Sequence, residues 1–528
     1  MSLLSVETRL TLRENLGNHP LLKNITKIAT YMITHRIPFT ARALFLGMLA
    51  AQVIASIQVY LSNISLYTNI TAIKDAGYLA IPNPHILNTL PGFGSAFFGG
   101  IFFTLSIGTG LSLYSIAMMW IWTRLVSRNE YVLILFLLPL AACVVSVNLH
   151  GFCPLVTSYF VVIPAVIFFS TKKWITDPPE HGVWLKEILH FAPLVFLTAL
   201  WTFQMQGSLF VDIRDNLLLS NSFGRRINDF YYKYTLYPAE AFKSLQQKML
   251  KTCSLDEIGK QPVEGLLRDA LINDDYLDVG AHRKVDLNIR TDADLLVLET
   301  RGKIILKTSL EDFLSDKGKT LKRFSVTSDR HGFFRKVTLL SLLIGFPIFL
   351  YVLVFSLFCF IFSFIPGLQN ASRYASILCF ITGIGLLIPF YQMGGKEVTV
   401  KNVAQALQSE NRQERVEALK IIHNQKKEIG NYRAYQSILK SAYVPEIYWL
   451  VKALGVSRKP ETYADLLTFV EHPHPNVVCM ALYALGRRGD KRAVKMILKM
   501  IERSDHWYCQ WYAYKALRSL GWKQKKLK

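Results

Sequence analysis

Two hydrophobic patterns divide the chain. In the first, apolar residues run on without a polar face at 3.6-residue spacing: Ala43–Leu61, Ser95–Trp122, Tyr131–Val147, Pro154–Ser170 and Ile188–Met205, then Thr338–Pro366 and Ala375–Met393. Each run approaches or exceeds the ~20 residues that a helix needs to cross a hydrocarbon core of ~30 Å. No Asp, Glu, Lys or Arg sits in the middle of any of them. The last two are parted only by Gly367–Tyr374 and read as a transmembrane hairpin. In the second pattern, from Val398 onwards, apolar residues recur at helical spacing with polar faces between them, as in amphipathic helices.

Between these lie two polar stretches. Ser62–Gly94 is rich in Asn, Pro and Gly, carries only Lys74 and Asp75 as charges, and reads as a loop on the non-cytoplasmic side. Residues 206–337 form a soluble insert. Alternation over Lys284–Ser309, with turns near Thr291–Asp294 and at Arg301-Gly302, predicts two or three short strands. Helices are expected around Val263–Leu271 and Leu310–Leu314. The predicted organisation is a basic leader (1–42), an apolar bundle (43–205), an α+β insert (206–337), a hairpin (338–393), helical repeats (398–522) and a basic tail (523–528). The fold class is mostly α: a polytopic helix bundle with a small α+β insert and a C-terminal α-solenoid.

The repeats show as Ala-Leu pairs at Ala418-Leu419, Ala453-Leu454, Ala484-Leu485 and Ala516-Leu517, spaced 35, 31 and 32 residues apart. Gly455 and Gly486 directly follow their pairs, where a helix stop belongs. Pro445, Pro460 and Pro475 stand near helix starts, where a missing N–H does no harm. The stretches HPNVVCMALYALGRRGDKRAVKMILKMI and PEIYWLVKALG resemble the HEAT-repeat family, in the short variety also seen in phycobilisome-lyase-type repeats. The resemblance implies stacked helical hairpins and a curved protein-binding surface. Nothing here supports carrying over the pigment attachment of the lyase-type relatives. In the last helix Trp507, Trp511 and Tyr514 fall on one stripe, with Tyr508 and Tyr512 beside it, while Arg487, Arg488, Lys491 and Arg492 crowd one inter-helix turn. A packed cap explains the rings and a solvated edge explains the arginines. A docking patch made of Trp507, Trp511, Tyr514, Arg487, Arg488 and Arg492 is the functional alternative.

Composition agrees with a membrane protein: 51% hydrophobic residues and a mean hydropathy of +0.25. The net charge of +22 would suggest nucleic acid in a soluble chain. Here the basic residues gather beside apolar runs and in the C-terminal third, so lipid head groups are the expected counter-charge and nucleic acid is not. Seven cysteines without a CxxC pair argue against a disulfide framework or zinc site. Asp274, Asp275 and Asp278 lack the spacing of a calcium loop and read as solvated turn residues. No cofactor or metal motif and no catalytic residue emerges. Gly99, Gly100, Gly108 and Gly110 suit close helix packing, or a break in the helix at a substrate site.

The basic cluster from Lys317 to Lys336 and Lys396 with Lys401 put both flanks of the hairpin in the cytoplasm, and with them the insert and the repeats. The leader reads as cytoplasmic too. Five spans before the insert cannot satisfy all these placements: either one segment is re-entrant, with the Gly-rich second run the first suspect, or the span count is wrong, or one soluble domain faces out. Three functions remain open. The first is a scaffold in a bacterial inner membrane whose repeats bind a protein partner. The second is a transporter or lipid-handling protein with a cavity near Gly99–Gly110. The third is a membrane enzyme built from loop residues such as His85, His150 and His181.

Overall fold

The computed structural model describes residues 39–124, 126, 128–174, 194–200, 211, 214–258, 261–280, 284–365, 371–392 and 398–526. Most of the leader, along with His181, lies outside the described residues. The described residues are mostly helical, with a small sheet and a C-terminal array of helices.

Five described helices are long and apolar enough to cross a membrane. These are α1 (Phe39–Asp75), α2 (Phe93–Thr123), α3 (Glu130–Asn148), α4 (Pro154–Lys172) and, after the insert, the helix Gly332–Phe362. The helix Ala371–Gln392 completes the hairpin. Of the fifth apolar run only 194–200 is described, a helix whose Phe196 packs on Phe380 at 6.2 Å.

The first helix departs from expectation. It does not stop at Leu61 but runs 37 residues, about 55 Å at 1.5 Å per residue. Its extension keeps an apolar stripe, Leu66, Ile70 and Ile73, that buries against the soluble part of the molecule. The polar residues between them had suggested a loop. Asn63, which begins an Asn-Ile-Ser triplet, is buried and donates to Leu90 O at 3.1 Å.

The glycine-rich second run is one continuous helix, long enough to cross a membrane, with a π turn at Thr104–Gly108. Its glycines admit neighbours. A Cβ on Gly108 would stand 2.4 Å from the Ala51 Cβ, and one on Gly110 would stand 2.4 Å from Ser341 Oγ. Ser341 opens a second π turn, Ser341–Gly345, which packs just past the first, where Gly345 closely approaches Gly110. Gly99 faces Val59 and Tyr237, and Gly100 faces the backbone of α1.

The bundle has two distinct ends. At one, Phe39, Trp174 and Phe349 pack around Ala43, Leu44, Ile116 and Ile167. At the other, the α3–α4 turn meets the insert, with Arg330 Nε donating to His150 O at 3.1 Å. The insert, the α1 extension and the C-terminal array all gather there. The start of α1 therefore lies at the end opposite the array. Asn83, in the stretch expected to be a non-cytoplasmic loop, meets the array at this end as well, so the expectations that put Ser62–Gly94 and the repeats on opposite sides do not hold together.

Within the insert come α5 (Ser222–Tyr234), α6 (Leu236–Ala241) and α7 (Gln261–Ile272). A five-stranded sheet has the order β2-β1-β3-β4-β5. Strand β1 (Lys251–Ser254) runs parallel to both β2 (Tyr276–Asp278) and β3 (Leu287–Asp292). The strands β3, β4 (Leu295–Thr300) and β5 (Lys303–Ser309) form the antiparallel meander that the alternation predicts. The first two strands escape sequence reading because they are short and buried on both faces, so they show no alternation.

The array stacks α8 (Arg412–Asn424), α9 (Val444–Leu454), α10 (Pro475–Arg488) and α11 (Trp507–Ser519) side by side. All four Ala-Leu pairs are buried in the seams. Pro445, Pro460 and Pro475 each occupy the first turn of a helix. Gly486 is not a stop: it lies inside α10, where a Cβ would meet Ala516 Cα of the next helix at 3.0 Å. The stop is Gly489, with φ 74°.

Candidate functional site

The array is not a free appendage. Several segments from elsewhere in the chain are seated on it. Asn83 is one. Its backbone N–H donates to Gln510 Oε1 at 2.8 Å, and its Nδ2 donates to the carbonyls of Ile501, Glu502 and Ser504 at 2.9, 3.1 and 2.9 Å. Those carbonyls close the helix Val494–Arg503, whose last acceptors have no partner within the helix. The same Asn caps the one-turn helix Pro84–Leu87.

Arg214-Asp215 forms the second seat. Trp449 Nε1 donates to the buried Asp215 carboxylate at 2.8 Å, and the Arg214 guanidinium lies 3.9 Å over the Tyr448 ring. In the third, α5 and α6 meet α11. Thr235 and Tyr508 share a hydrogen bond at 3.1 Å, Tyr237 packs edge-on to Trp507 at 5.2 Å, and the amides of Asn228 and Asn476 pair in the buried seam.

The aromatic stripe of α11 is thereby divided. Trp507 is 6% exposed and covered by the chain's own α6. Tyr514 is 1% exposed and donates its hydroxyl to Asp275. Trp511 stays at the edge of a crevice of about 910 Å3 between α10, α11 and residues 239–251. Lys515 lies over its ring with Nζ at 3.6 Å. Arg487 lines the same crevice beside Tyr483. The other two arginines stand elsewhere. Arg488 donates to the carbonyls of Leu454 and Lys459 and to Thr462, bracing one repeat against the next. Arg492 is exposed and paired with Asp490 at 2.6 Å.

The crevice is carboxylate-poor. Seven cationic side chains line it against one acid, Asp275. Four are held by carboxylates: Lys243 by Glu240, Lys248 by Asp286, Arg335 by Asp329 and Arg518 by Asp275. Lys251, Arg487 and Lys515 form no ion pair among the described residues. The Lys251 and Lys515 ammonium groups are held below the ordinary lysine range, in both cases chiefly by burial, with Lys243 adding to the effect on Lys515. Burial raises the Asp275 carboxyl, while Tyr514 and Arg518 oppose the rise.

The turn acids expected to be solvated are thus engaged. Asp274 pairs with Lys317, Asp275 with Arg518 and Asp278 with Arg268. Sequence reading missed Lys515 and Arg518. They follow Trp511 at i+4 and i+7, so helical spacing was the signal available. Lys243 and Lys251 come from a distant segment and left none. No group of three or more His, Cys, Asp or Glu able to hold a metal occurs among the described residues. His85 and His150 are both exposed.

No curated protein and no solved structure matches the chain. Residues 436–518 match the family model for HEAT repeats, so the C-terminal region of this chain is a HEAT-repeat segment.

Proposed function

We propose that the chain is a membrane-anchored scaffold that grips an acidic segment of a protein partner in the crevice between its last HEAT-like helices and the insert. The observation that carries this reading is the crevice itself. It lies on a repeat array of the kind that mediates protein interaction, and cations that lack carboxylate partners border it beside an aromatic edge. The five long apolar helices supply the anchor. Passage of a substrate is the weaker reading, because the space beside Gly99–Gly110 is filled by α1, Ser341 and Tyr237.

The anchor requires the start of α1 and the array to lie on opposite faces of the bilayer, so reporters fused at the two termini should read opposite sides. The crevice is tested with a photo-reactive side chain at Trp511 in intact membranes. A discrete protein adduct that disappears when Lys515→Glu and Arg487→Glu are added supports the reading. No adduct, or one indifferent to those charges, overturns it.

A further inference from the structure

A second cavity, of about 900 Å3, opens between the bundle and the insert. Its floor is built where three apolar segments turn polar. One is the Gln58–Asn69 stretch of α1, one is the turn Asn148–Gly151 between α3 and α4, and one is Arg330-His331, just before the helix Gly332–Phe362. If those helices span a bilayer, all three mark the head-group level of one leaflet.

The roof is the β4–β5 turn, Arg301-Gly302, with Lys303 after it. Both turn residues are left-handed, at φ 53° and 73°. A two-residue hairpin of this hand takes Asn-Gly or Asp-Gly without strain. An Arg at its first position costs about 1 kcal/mol, and it holds a guanidinium at the tip.

The charges here are unbalanced. Lys243 and Lys248 are neutralised by Glu240 and Asp286. Arg301 and Lys303 form no ion pair among the described residues. Among the described residues Arg330 donates to the His150 carbonyl through Nε, and the third acid of the lining, Asp329, is held by Arg335. His331 keeps a buried Nδ1 without a hydrogen-bond partner. Gly151, at φ 120°, makes room for the Arg330 guanidinium, which would stand 2.0 Å from a Cβ there. The result is a cation-lined pocket, polar on its soluble side and open toward the ends of apolar helices.

Resting on the membrane reading above, we infer that this cavity is a binding site for the phosphate of an anionic membrane lipid, with Arg301, Lys303 and Arg330 as its cationic contacts. The phosphate neutralises the three cations, and the acyl chains run down along α1 and the α3–α4 turn. A lipid held there ties the insert, and through it the array, to the surface of the bundle. This site is distinct from the partner crevice, although Lys243 and Lys248 border both.

The test uses the full chain in a neutral detergent, with bound lipid counted by native mass spectrometry. The probes are phosphatidylglycerol, phosphatidylcholine and, as a soluble phosphate, glycerol phosphate. One phosphatidylglycerol per chain should be retained. The double variant R301A/K303A should weaken it by roughly tenfold or more, and phosphatidylcholine should bind wild type as weakly as phosphatidylglycerol binds the variant. Both substituted residues are exposed on a turn, so the variant keeps its fold, and Arg330→Gln offers an independent second variant.

Equal retention by wild type and both variants overturns the site. So does equal affinity for the two lipids. Competition by glycerol phosphate at the concentration of the lipid assigns the cavity to a free phosphate and overturns the lipid. Alkaline extraction separates the two readings. A chain released by alkali fails as a membrane protein, whereas a chain that stays in the membrane but holds no lipid fails only here.

Discussion

Replacing Asn83 with Ala should loosen the array from the rest of the molecule. Two Nδ2 hydrogens serve three carbonyls, so the side chain makes about two hydrogen bonds to the end of the helix Val494–Arg503. Ser504 O keeps a donor, Gln510 Nε2 at 2.8 Å, but the carbonyls of Ile501 and Glu502 lose theirs. Two lost bonds at about 1 kcal/mol each, with some added cost for orphaned acceptors, give about 2–3 kcal/mol. The cap on Pro84–Leu87 adds about 1 kcal/mol. The cap steadies that turn and not the joint to the array, so docking itself loses about 2–3 kcal/mol, a shift of roughly 30–150-fold.

Hydrogen exchange on the full chain in detergent reads this directly. Amides of Val494–Leu520 whose protection depends on docking should exchange ~30–100-fold faster in N83A, while those of β3 and β4 stay unchanged. Gln510→Ala should produce the same pattern, and the double variant should show less than the sum of the two. Exchange over Val494–Leu520 within threefold of wild type would refute the claim that Asn83 fastens the array.

Other perturbations probe other joints. Gly108→Val should lower the thermal midpoint in detergent by the equivalent of about 1–3 kcal/mol, because its side chain invades Ala51; a neutral result would mean that α1 and α2 are not in contact there. Asp215→Ala removes the partner of Arg214, 2.6 Å away and 15% exposed, and the acceptor of Trp449, so denaturant unfolding should show a loss of about 3–5 kcal/mol. His331 is held down at about 4 by burial first and then by Arg301, with Arg330 and Arg335 adding and Asp329 opposing. Its folded value lies below the ordinary 6.5, so the unfolded chain takes the proton first as pH falls. Stability should be intact above pH 6.5 and decline toward pH 4 by up to about 3 kcal/mol, and His331→Gln should flatten that part of the profile.

Residues differed in how much they disclosed. The Ala-Leu pairs, the three prolines and the apolar runs could be read because each is a local periodicity whose meaning does not depend on what lies across from it. Gly486 was misread because glycine serves equally as a stop or as a close-packing residue, and only the position of Ala516 chooses between them. Polar residues in Ser62–Asp75 hid a helix whose three-residue apolar stripe acquires a purpose only once the insert and array cover it. At the crevice, Trp511 and Arg487 were visible as ring and charge, but their cationic neighbours Lys243 and Lys251 come from more than two hundred residues away in sequence.

Taken alone, the sequence determined which segments are oily rods, which are amphipathic hairpins and how the hairpins stack, since those follow from spacing along one strand of chain. It could not determine sidedness, because charge counts beside different segments pointed to incompatible placements. Tertiary structure decided that the array sits at the end of the bundle away from the start of α1, and that Asn83, Asp215 and Asp275 hold it there. It also decided which rings are spent on internal docking and which border open space. The physical reason is that a buried hydrogen bond or an unpaired cation is a relation between distant residues. Its worth is set by burial and by the partner's position, and neither is written in the local pattern.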